Sequence, residues 1–288
     1  MKASEFLEEV KRSPLCPPDF DDQYRCFCKY QAMVVDALKE FHGICEKNNI
    51  NYHVTYGSLL GIIRDGGQIP WDYDIDVFVP VSQKTELISA LRNDLSDRFY
   101  AMCPEIDETC RHYIVRICPK GYNSAAIHLD VFYYCGAPDN EIERKRFCGK
   151  LLLCARIRFA KKVKIKEESV GSLKRKLKLT TAKALFSVFS GKRTDAKYEK
   201  LVSKYPLIGS NYAVSAGFYA DECLMLTKTV SETILYTSDI GEFRIPKDYE
   251  GFLKMAYGDY KKYPPLESRI RQITSAVKRF RYFEQLSK

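Results

Sequence analysis

Apolar positions follow helical and strand periods in turn along the first third of the chain. From Tyr24 to Asn48 they recur at helical spacing, which predicts a long helix with one buried stripe. Tyr52–Tyr56 and Ile75–Val79 have the character of strands, and between them Ser58 stands where the N-cap of a short helix is expected. A further helix is predicted from Thr85 to Leu95.

Two more strands precede a change of character near residue 140. Tyr113–Ile117 and Ala126–Tyr133 predict strands, the second an apolar run with a single acid inside it. Helical periods broken by basic clusters then continue to about residue 205, and a short strand at Phe243–Ile245 precedes two C-terminal helices. This order predicts an α+β fold, a mixed sheet flanked by helices with a basic helical elaboration.

Acidic residues in these strands have the pattern of a metal site. Asp74 and Asp76 are spaced i, i+2, so both carboxylates project from one strand face, roughly 7 Å apart at the backbone. Such a pair repels itself unless a cation lies between, and oxygen ligands favour Mg²⁺ or Mn²⁺. Asp130, inside the apolar strand, is the expected third ligand of a two-ion site. The alternative is a buried acid paired with an arginine such as Arg116.

A phosphate site is predicted beside the acids. Gly57 permits close approach of the backbone, and Ser58 adds a hydroxyl where a helix N-terminus favours anions. Phosphate facing a metal is the minimal arrangement for phosphoryl transfer. Arg64 could reach back to the phosphates or be a surface arginine, and Trp71 could stack on a ligand or pack in the core.

The run from Tyr52 through Pro80 resembles the signature of the LicD/fukutin family, a branch of the nucleotidyltransferase-like superfamily. The matching residues are Gly57-Ser58-Leu59-Leu60-Gly61, Arg64, Gly67, Ile69-Pro70-Trp71-Asp72 and Asp74-Ile75-Asp76. The later residues Ile245-Pro246-Lys247-Asp248-Tyr249, Tyr257-Gly258-Asp259-Tyr260 and Pro264-Pro265 are similar to the second family signature. Tyr73 departs from the pattern, replacing the middle of three acids. On a strand it faces away from Asp72 and Asp74, so the metal pair is expected to persist.

The resemblance implies a nucleotidyltransferase-like core and a transferase that moves a phospho-alcohol from a cytidine nucleotide onto a glycan hydroxyl, releasing CMP. Bacterial members typically move phosphocholine from CDP-choline onto cell-surface polysaccharides, lipopolysaccharide or teichoic acids, or onto lipid-linked precursors. Asp74 and Asp76 would hold the ions that bind the diphosphate, while Asp130 would share one ion and accept the hydroxyl proton. The residues implied at the phosphates and pocket are Gly57, Ser58, Arg64, Trp71 and Asp72.

Other functions remain open at this stage. A true nucleotidyltransferase would use the same residues, leave NMP on its acceptor and release pyrophosphate. The transferred group could also be phosphoethanolamine, an aminoalkyl phosphonate, ribitol phosphate or glycerol phosphate. A scaffold without turnover is disfavoured by the three intact acids. The predicted organisation is an N-terminal segment (1–23), a catalytic core (24–139), the basic elaboration (140–240) and a C-terminal signature with its helix (241–288).

Charge is concentrated in the elaboration. Residues 144–200 hold 19 Lys/Arg against four acids, a net +15, which leaves −6 for the rest of a chain of net charge +9. This asymmetry favours a polyanionic partner. We expect an anionic membrane surface, reached with the apolar patch 185–189, or the acceptor; solvated helix faces are the alternative. Nucleic acid is disfavoured because no RNA-binding motif is present.

The remaining composition bears on location. No apolar run approaches the roughly 18 residues of a membrane span, and no signal peptide opens the sequence. The eleven cysteines are odd in number and form no CxxC pair, which is typical of a reduced protein. We therefore expect a cytoplasmic protein, peripheral at the inner face of the bacterial cell membrane.

Overall fold

The computed structural model describes residues 1–165, 172–216 and 224–286. Helices in these ranges are α1 (Ala3–Lys11), α2 (Phe20–Lys47), α3 (Tyr56–Leu60), α4 (Lys84–Asp94), α5 (Glu141–Lys162), α6 (Leu173–Leu185), α7 (Gly191–Val202), α8 (Thr227–Val230), α9 (Tyr249–Tyr257) and α10 (Leu266–Leu286). Strands are β1 (His53–Val54), β2 (Ile75–Pro80), β3 (Phe99–Met102), β4 (Val115–Pro119), β5 (Leu129–Ala137), β6 (Tyr212–Ser215), β7 (Leu224–Leu226), β8 (Thr233–Ser238) and β9 (Gly241–Pro246). A π-helical turn, Gly61–Asp65, continues α3.

A mixed sheet forms the centre of the described structure. Its order is β1-β2-β5-β4-β3, with β2 parallel to β5 and the other neighbours antiparallel. Strand β6 pairs with the last residues of β5, beyond β4, and β7 pairs with β6. All nine residues of β5 are buried, as expected for an apolar strand paired along both edges. The predicted α+β class, with a mixed sheet flanked by helices, is confirmed.

Helix α2 covers one face of this sheet through its apolar stripe. Phe27, Val34, Leu38 and Phe41 are fully buried, and Tyr30 is 1% exposed. Burial of each such side chain contributes about 1.5–3 kcal/mol relative to exposure. The long helix predicted from Tyr24 is therefore confirmed, although it begins four residues earlier, at Phe20.

The region 140–240 is helical only in part. Helices α5 and α7 pack on each other, but β6 and β7 join the central sheet. Strands of four and three residues are too short to produce a period that distinguishes them from loops. Residues 166–171 and 217–223 of this region lie outside the described residues.

Helix α6 stands largely apart from the core. Leu179 is its buried residue, whereas Leu173, Leu177 and Leu185 are 81%, 68% and 66% exposed. Four cations, which we call the α6 cluster, lie on the same helix: Lys174, Arg175, Lys176 and Lys178. No helix within the described ranges is both long and apolar enough to cross a membrane.

Several boundaries differ from the prediction. The N-cap of α3 is Thr55 rather than Ser58, so the expected N-cap was wrong and the strand before it shrinks to His53–Val54. Strands β4 and β5 begin two and three residues late, and β3 and β8 were not predicted. In each case pairing with a neighbour, rather than local residue type, decides where the strand lies.

Candidate active site

The short helix α3 begins with a strained turn. Thr55 is extended, and Tyr56 follows with φ at +45°, a left-handed conformation that non-glycine residues rarely adopt. Gly57 comes next, where a Cβ atom would lie 2.8 Å from Oδ2 of Asp72. A side chain at residue 57 would therefore displace the Asp72 carboxylate from its place against the backbone of α3.

Ser58 ties this helix to strand β2. Its Oγ accepts a hydrogen bond from the Asp76 backbone N–H at 2.9 Å, while the Thr55 N–H donates to the Asp76 carbonyl at 3.0 Å. The two bonds fix the start of α3 against Asp76. Since Ser58 accepts through its oxygen, its own proton is left to donate to a ligand.

The predicted acids meet at one edge of the sheet. Asp74 directly precedes β2, Asp76 is the second residue of β2, and Asp130 is the second residue of β5. Asp76 and Asp130 are register partners in the parallel pair, so their side chains share one face. Asp72 belongs to the same group, because its carboxyl group interacts with that of Asp74.

This cluster carries more negative charge than it can readily hold. Burial, together with the charge of Asp74, raises the pKa of Asp72 well above its ordinary value. Burial and the charges of Asp74, Asp130 and Asp72 do the same for Asp76. Mutual repulsion of this kind is relieved by a divalent cation, so the chemistry of the cluster fits one.

Asp130 adopts the arrangement that the sequence left as the alternative. Its Oδ1 accepts from Arg116 Nε at 2.8 Å, and Oδ2 lies 3.5 Å from His128 Nε2. Burial by itself raises the pKa of Asp130, but the charges of Arg116 and His128 outweigh it and hold the pKa well below its usual range. His128 Nδ1 is buried without a hydrogen-bond partner among the described residues, which leaves it available to a ligand.

The described side chains therefore do not by themselves supply a full set of ligands for a metal ion. Across the described ranges, no group of three or more His, Cys, Asp or Glu side chains is arranged to hold a metal ion. Mg²⁺ is commonly bound by one or two carboxylates and completed by water and substrate phosphates. Asp74 and Asp76 fit that pattern, and the assignment of Asp130 as a third ligand stays a prediction.

The Arg64 guanidinium is engaged in contacts with other parts of the protein. Its Nη2 donates to Asp65 Oδ2 at 2.8 Å, and its Nη1 donates to the carbonyls of Tyr260 and Lys262 at 3.3 and 3.5 Å. The guanidinium lies 4.5 Å from the ring centre of Tyr263. Arg64 thus joins the two signature segments, and its contact with phosphate stays a prediction.

Trp71 packs in the core. It is 3% exposed, and its ring centre lies 5.2 Å from that of Phe6 and 5.9 Å from that of Tyr263. The Arg269 guanidinium lies 5.0 Å from the same ring. These contacts support packing, the second of the two roles considered from sequence.

Tyr73 is held by a residue that the sequence did not identify. Its hydroxyl accepts from Arg279 Nη1 at 3.1 Å, and its ring packs edge-on against Phe280. Arg279 also donates to the Ala125 carbonyl, just before β5. Helix α10 therefore braces both acid-bearing segments, a role that no local pattern in a basic C-terminal helix could reveal.

The second signature segment packs against the start of α3. Asp248 caps α9 by accepting from the Gly251 N–H at 3.0 Å. Phe252 of this helix packs against Tyr56, with ring centres 5.7 Å apart. The strained turn before Gly57 thus packs against α9, which brings the two signature segments into contact.

Comparison with known proteins agrees with this geometry. Residues 49–147 match the model of the LicD/FKTN/FKRP nucleotidyltransferase domain. This third of the chain is similar to the nucleotidyltransferase domain of the LicD family. The lipopolysaccharide cholinephosphotransferase LicD of Haemophilus influenzae is 25% identical over 258 residues, which cover 83% of this chain and 92% of that protein.

Two shorter matches are uncharacterized proteins of Rickettsia prowazekii and Rickettsia typhi. Each is 38% identical to this chain over 55 residues, about a fifth of the chain and of either protein. The predicted resemblance to the LicD family is confirmed, and the domain match together with the Haemophilus relative indicates an enzyme of the phosphotransferase type.

Proposed function

We propose that this protein transfers phosphocholine from CDP-choline to a hydroxyl group of a cell-surface glycan or its lipid-linked precursor, with release of CMP and with Mg²⁺ or Mn²⁺ as cofactor. The observation that carries the proposal is the acid pair Asp74 and Asp76 on β2, fixed against Gly57-Ser58 at the start of α3. The relative that acts on lipopolysaccharide supports the acceptor class.

Each residue of the site has a defined part in this reaction. Asp74 and Asp76 would hold the cation, which supplies positive charge to the diphosphate of the donor. Ser58 keeps Asp76 in place and has a proton to donate to a phosphate oxygen. Asp130, paired with Arg116, would lie beside the acceptor hydroxyl. Its low pKa makes it a weak base. Phosphoryl transfer through a loose transition state needs little help from a base, so a weak one would suffice.

An aromatic cavity near the acids supports choline as the transferred alcohol. It measures about 310 Å³ and lies beside Phe280, the residue on which Tyr73 packs. Its walls include Tyr30, Tyr122 and Phe283, with the carboxylate of Glu284. Lys29 Nζ lies 5.9 Å from the Tyr122 ring centre, so this ring already attracts a cation. Aromatic faces with an acid form the usual site for a quaternary ammonium group.

Helix α6 supports attachment to an anionic membrane surface. Its exposed leucines and the α6 cluster lie on one short helix, and Val188 and Phe189 just beyond it are 82% and 42% exposed. Apolar side chains beside lysines and arginines bind reversibly at the interface of anionic lipids. Lipid-linked acceptors would then be met at that surface.

Product identification tests the reaction. The protein is incubated with CDP-choline, CTP or ATP and Mg²⁺ in the presence of glycan acceptor, and the released product is identified. CMP released from CDP-choline supports the proposal. Release of pyrophosphate from CTP or ATP would identify a nucleotidyltransferase instead. Asp76→Asn serves as the inactive control.

A donor panel tests the choline assignment separately. Tyr122→Leu and Glu284→Gln are expected to raise KM for CDP-choline about threefold to tenfold, because each removes part of the cation site. CDP-glycerol, which has no cation, should be affected little. An equal rise for both donors would contradict the choline site and leave the transferase activity standing.

A further inference from the structure

A second cavity lies on the acid-bearing face of the sheet. Strand register places Asp76 opposite Asp130, Asp130 opposite Arg116, and Arg116 opposite Met102. Register partners project to the same face, and strands lie about 4.8 Å apart, so this row crosses about 14 Å of sheet. A cavity of about 170 Å³ begins at Arg116 and Met102, the end of the row away from Asp76.

The charged side chains in the described lining of this cavity are Lys and Arg, and we call it the basic cavity. Arg111, Arg116, Lys162 and Lys164 line it, and no acid is found among its described lining residues. Burial, with the charges of Arg116 and Arg111, holds the pKa of His112 well below its ordinary value. The described lining therefore carries an excess of positive charge, even though Arg116 is paired with Asp130.

Three segments of the chain, besides strands β3 and β4, build the basic cavity. Lys162 is the last residue of α5, Arg111 lies in the loop before β4, and Asn123 and Ser124 lie in the loop before β5. Amide and hydroxyl groups thus accompany the cations, as in sites that hold phosphate oxygens. The volume is below the 300–1,000 Å³ typical of pockets for drug-sized ligands, so it suits one small anionic group.

We propose that the basic cavity binds a phosphate group of a substrate, separated from the Asp74–Asp76 pair by the Asp130–Arg116 ion pair. The inference rests on the proposed function, since it places a second phosphate beside the reacting centre. Two sources share this chemistry. One is the diphosphate of the donor, and the other is a phosphate on the acceptor glycan or on its lipid carrier.

Titration with inorganic phosphate tests the site without turnover. Calorimetry in EDTA and low salt keeps divalent cations from bridging phosphate to the acids. The wild type should bind phosphate with a saturable isotherm, and the double variant Lys162→Gln/Lys164→Gln should bind about tenfold more weakly because two charge-assisted contacts are lost. The matched control, Lys197→Gln/Lys200→Gln on the exposed side of α7, removes the same charge outside the cavity and should bind as the wild type. Absence of saturable binding, or equal affinity in both double variants, overturns the proposal.

Steady-state kinetics then separate the two sources. A rise in the KM of CDP-choline alone in Lys162→Gln/Lys164→Gln assigns the phosphate to the donor. A rise in the KM of the acceptor alone assigns it to the acceptor. Unchanged values for both substrates overturn the proposal even if free phosphate binds. If no donor is consumed by the wild type, the proposed function fails, and the phosphate titration still decides whether the cavity is an anion site.

Discussion

Neutralising Asp76 is expected to stabilise the metal-free protein while abolishing its turnover. Asp76→Asn removes a carboxyl group whose pKa is raised by burial and by the charges of Asp74, Asp130 and Asp72. The backbone bond from the Asp76 N–H to Ser58 does not depend on the side chain, so the helix remains fixed against β2. The substitution therefore changes the charge of the site without releasing its framework.

The size of the effect follows from the spacing of the acids. Asp74 and Asp76 lie i, i+2 at the start of β2, about 7 Å apart at the backbone. At an effective dielectric constant near 20, two full charges at that distance repel by about 2.4 kcal/mol. The charge of Arg116, which lowers the pKa of Asp76, offsets part of this repulsion, so the expected gain is about 1–2 kcal/mol. A domain of this size should then gain about 2–6 °C in Tm.

Thermal unfolding with and without Mg²⁺ checks both halves of the prediction. In EDTA the variant should melt above the wild type, and Mg²⁺ should raise the Tm of the wild type alone. CMP release should fall to background in the variant. Asp36→Asn, the same change at an exposed residue of α2, should alter neither property. A lower Tm for Asp76→Asn in EDTA, or an equal response of both proteins to Mg²⁺, would refute the reasoning.

Three further changes have expected outcomes of their own. Asp130→Asn should act in the opposite direction from Asp76→Asn, lowering stability by about 2–4 kcal/mol because it leaves the Arg116 guanidinium, 14% exposed, without its carboxylate. The role of Asp130 is decided by measuring kcat, donor Kd and Tm on one preparation of the variant. Activity in proportion to the folded fraction identifies a structural acid. A folded variant with kcat reduced about 10²–10⁴-fold identifies a metal ligand or base. Charge reversal of the α6 cluster should weaken binding to anionic liposomes at low salt and spare CMP release with a small soluble acceptor; unchanged liposome binding would assign these cations to a solvated face. Glu46→Gln should lower Tm near pH 7. The hydrogen bond from Arg244 lowers the pKa of Glu46 below its ordinary value of 4.5, so this ion pair stabilises the fold above pH 4.5. The difference in Tm between variant and wild type should therefore fade as the pH falls below about 4.5. A deficit that stays constant from neutral to acidic pH would contradict this assignment.

The parts of the site that local pattern could predict are those that depend on residue spacing. Asp74 and Asp76 share a face because strands alternate, and Gly57 marks a close approach of the backbone because it lacks a side chain. The partner of Arg64 could not be found this way. Its guanidinium is held by Asp65 and by carbonyls almost 200 residues later, contacts that leave no period in the sequence.

The same limit explains the errors in the elements. Helix α2 was predicted because its stripe extends over many turns, which averages out irregular positions. Strand β6 has four residues and becomes a strand through pairing with Cys135 and its neighbours. Ser58 was taken for an N-cap, whereas its hydroxyl bonds to the Asp76 backbone, 18 residues away. Tertiary contacts of this kind override local preference.

The contact between Arg64 and the carbonyl of Tyr260, 196 residues apart in sequence, has a consequence for how the enzyme matures. A chain emerging from the ribosome can pair β2 with β5 long before residues 260–263 exist. Loops of this length close late and slow the final steps of folding. A nascent or truncated chain should therefore acquire its sheet and its acids first and gain an immobilised α3 at the end. Under the proposed function, the active site would then be completed only after residues 260–263 have been synthesised.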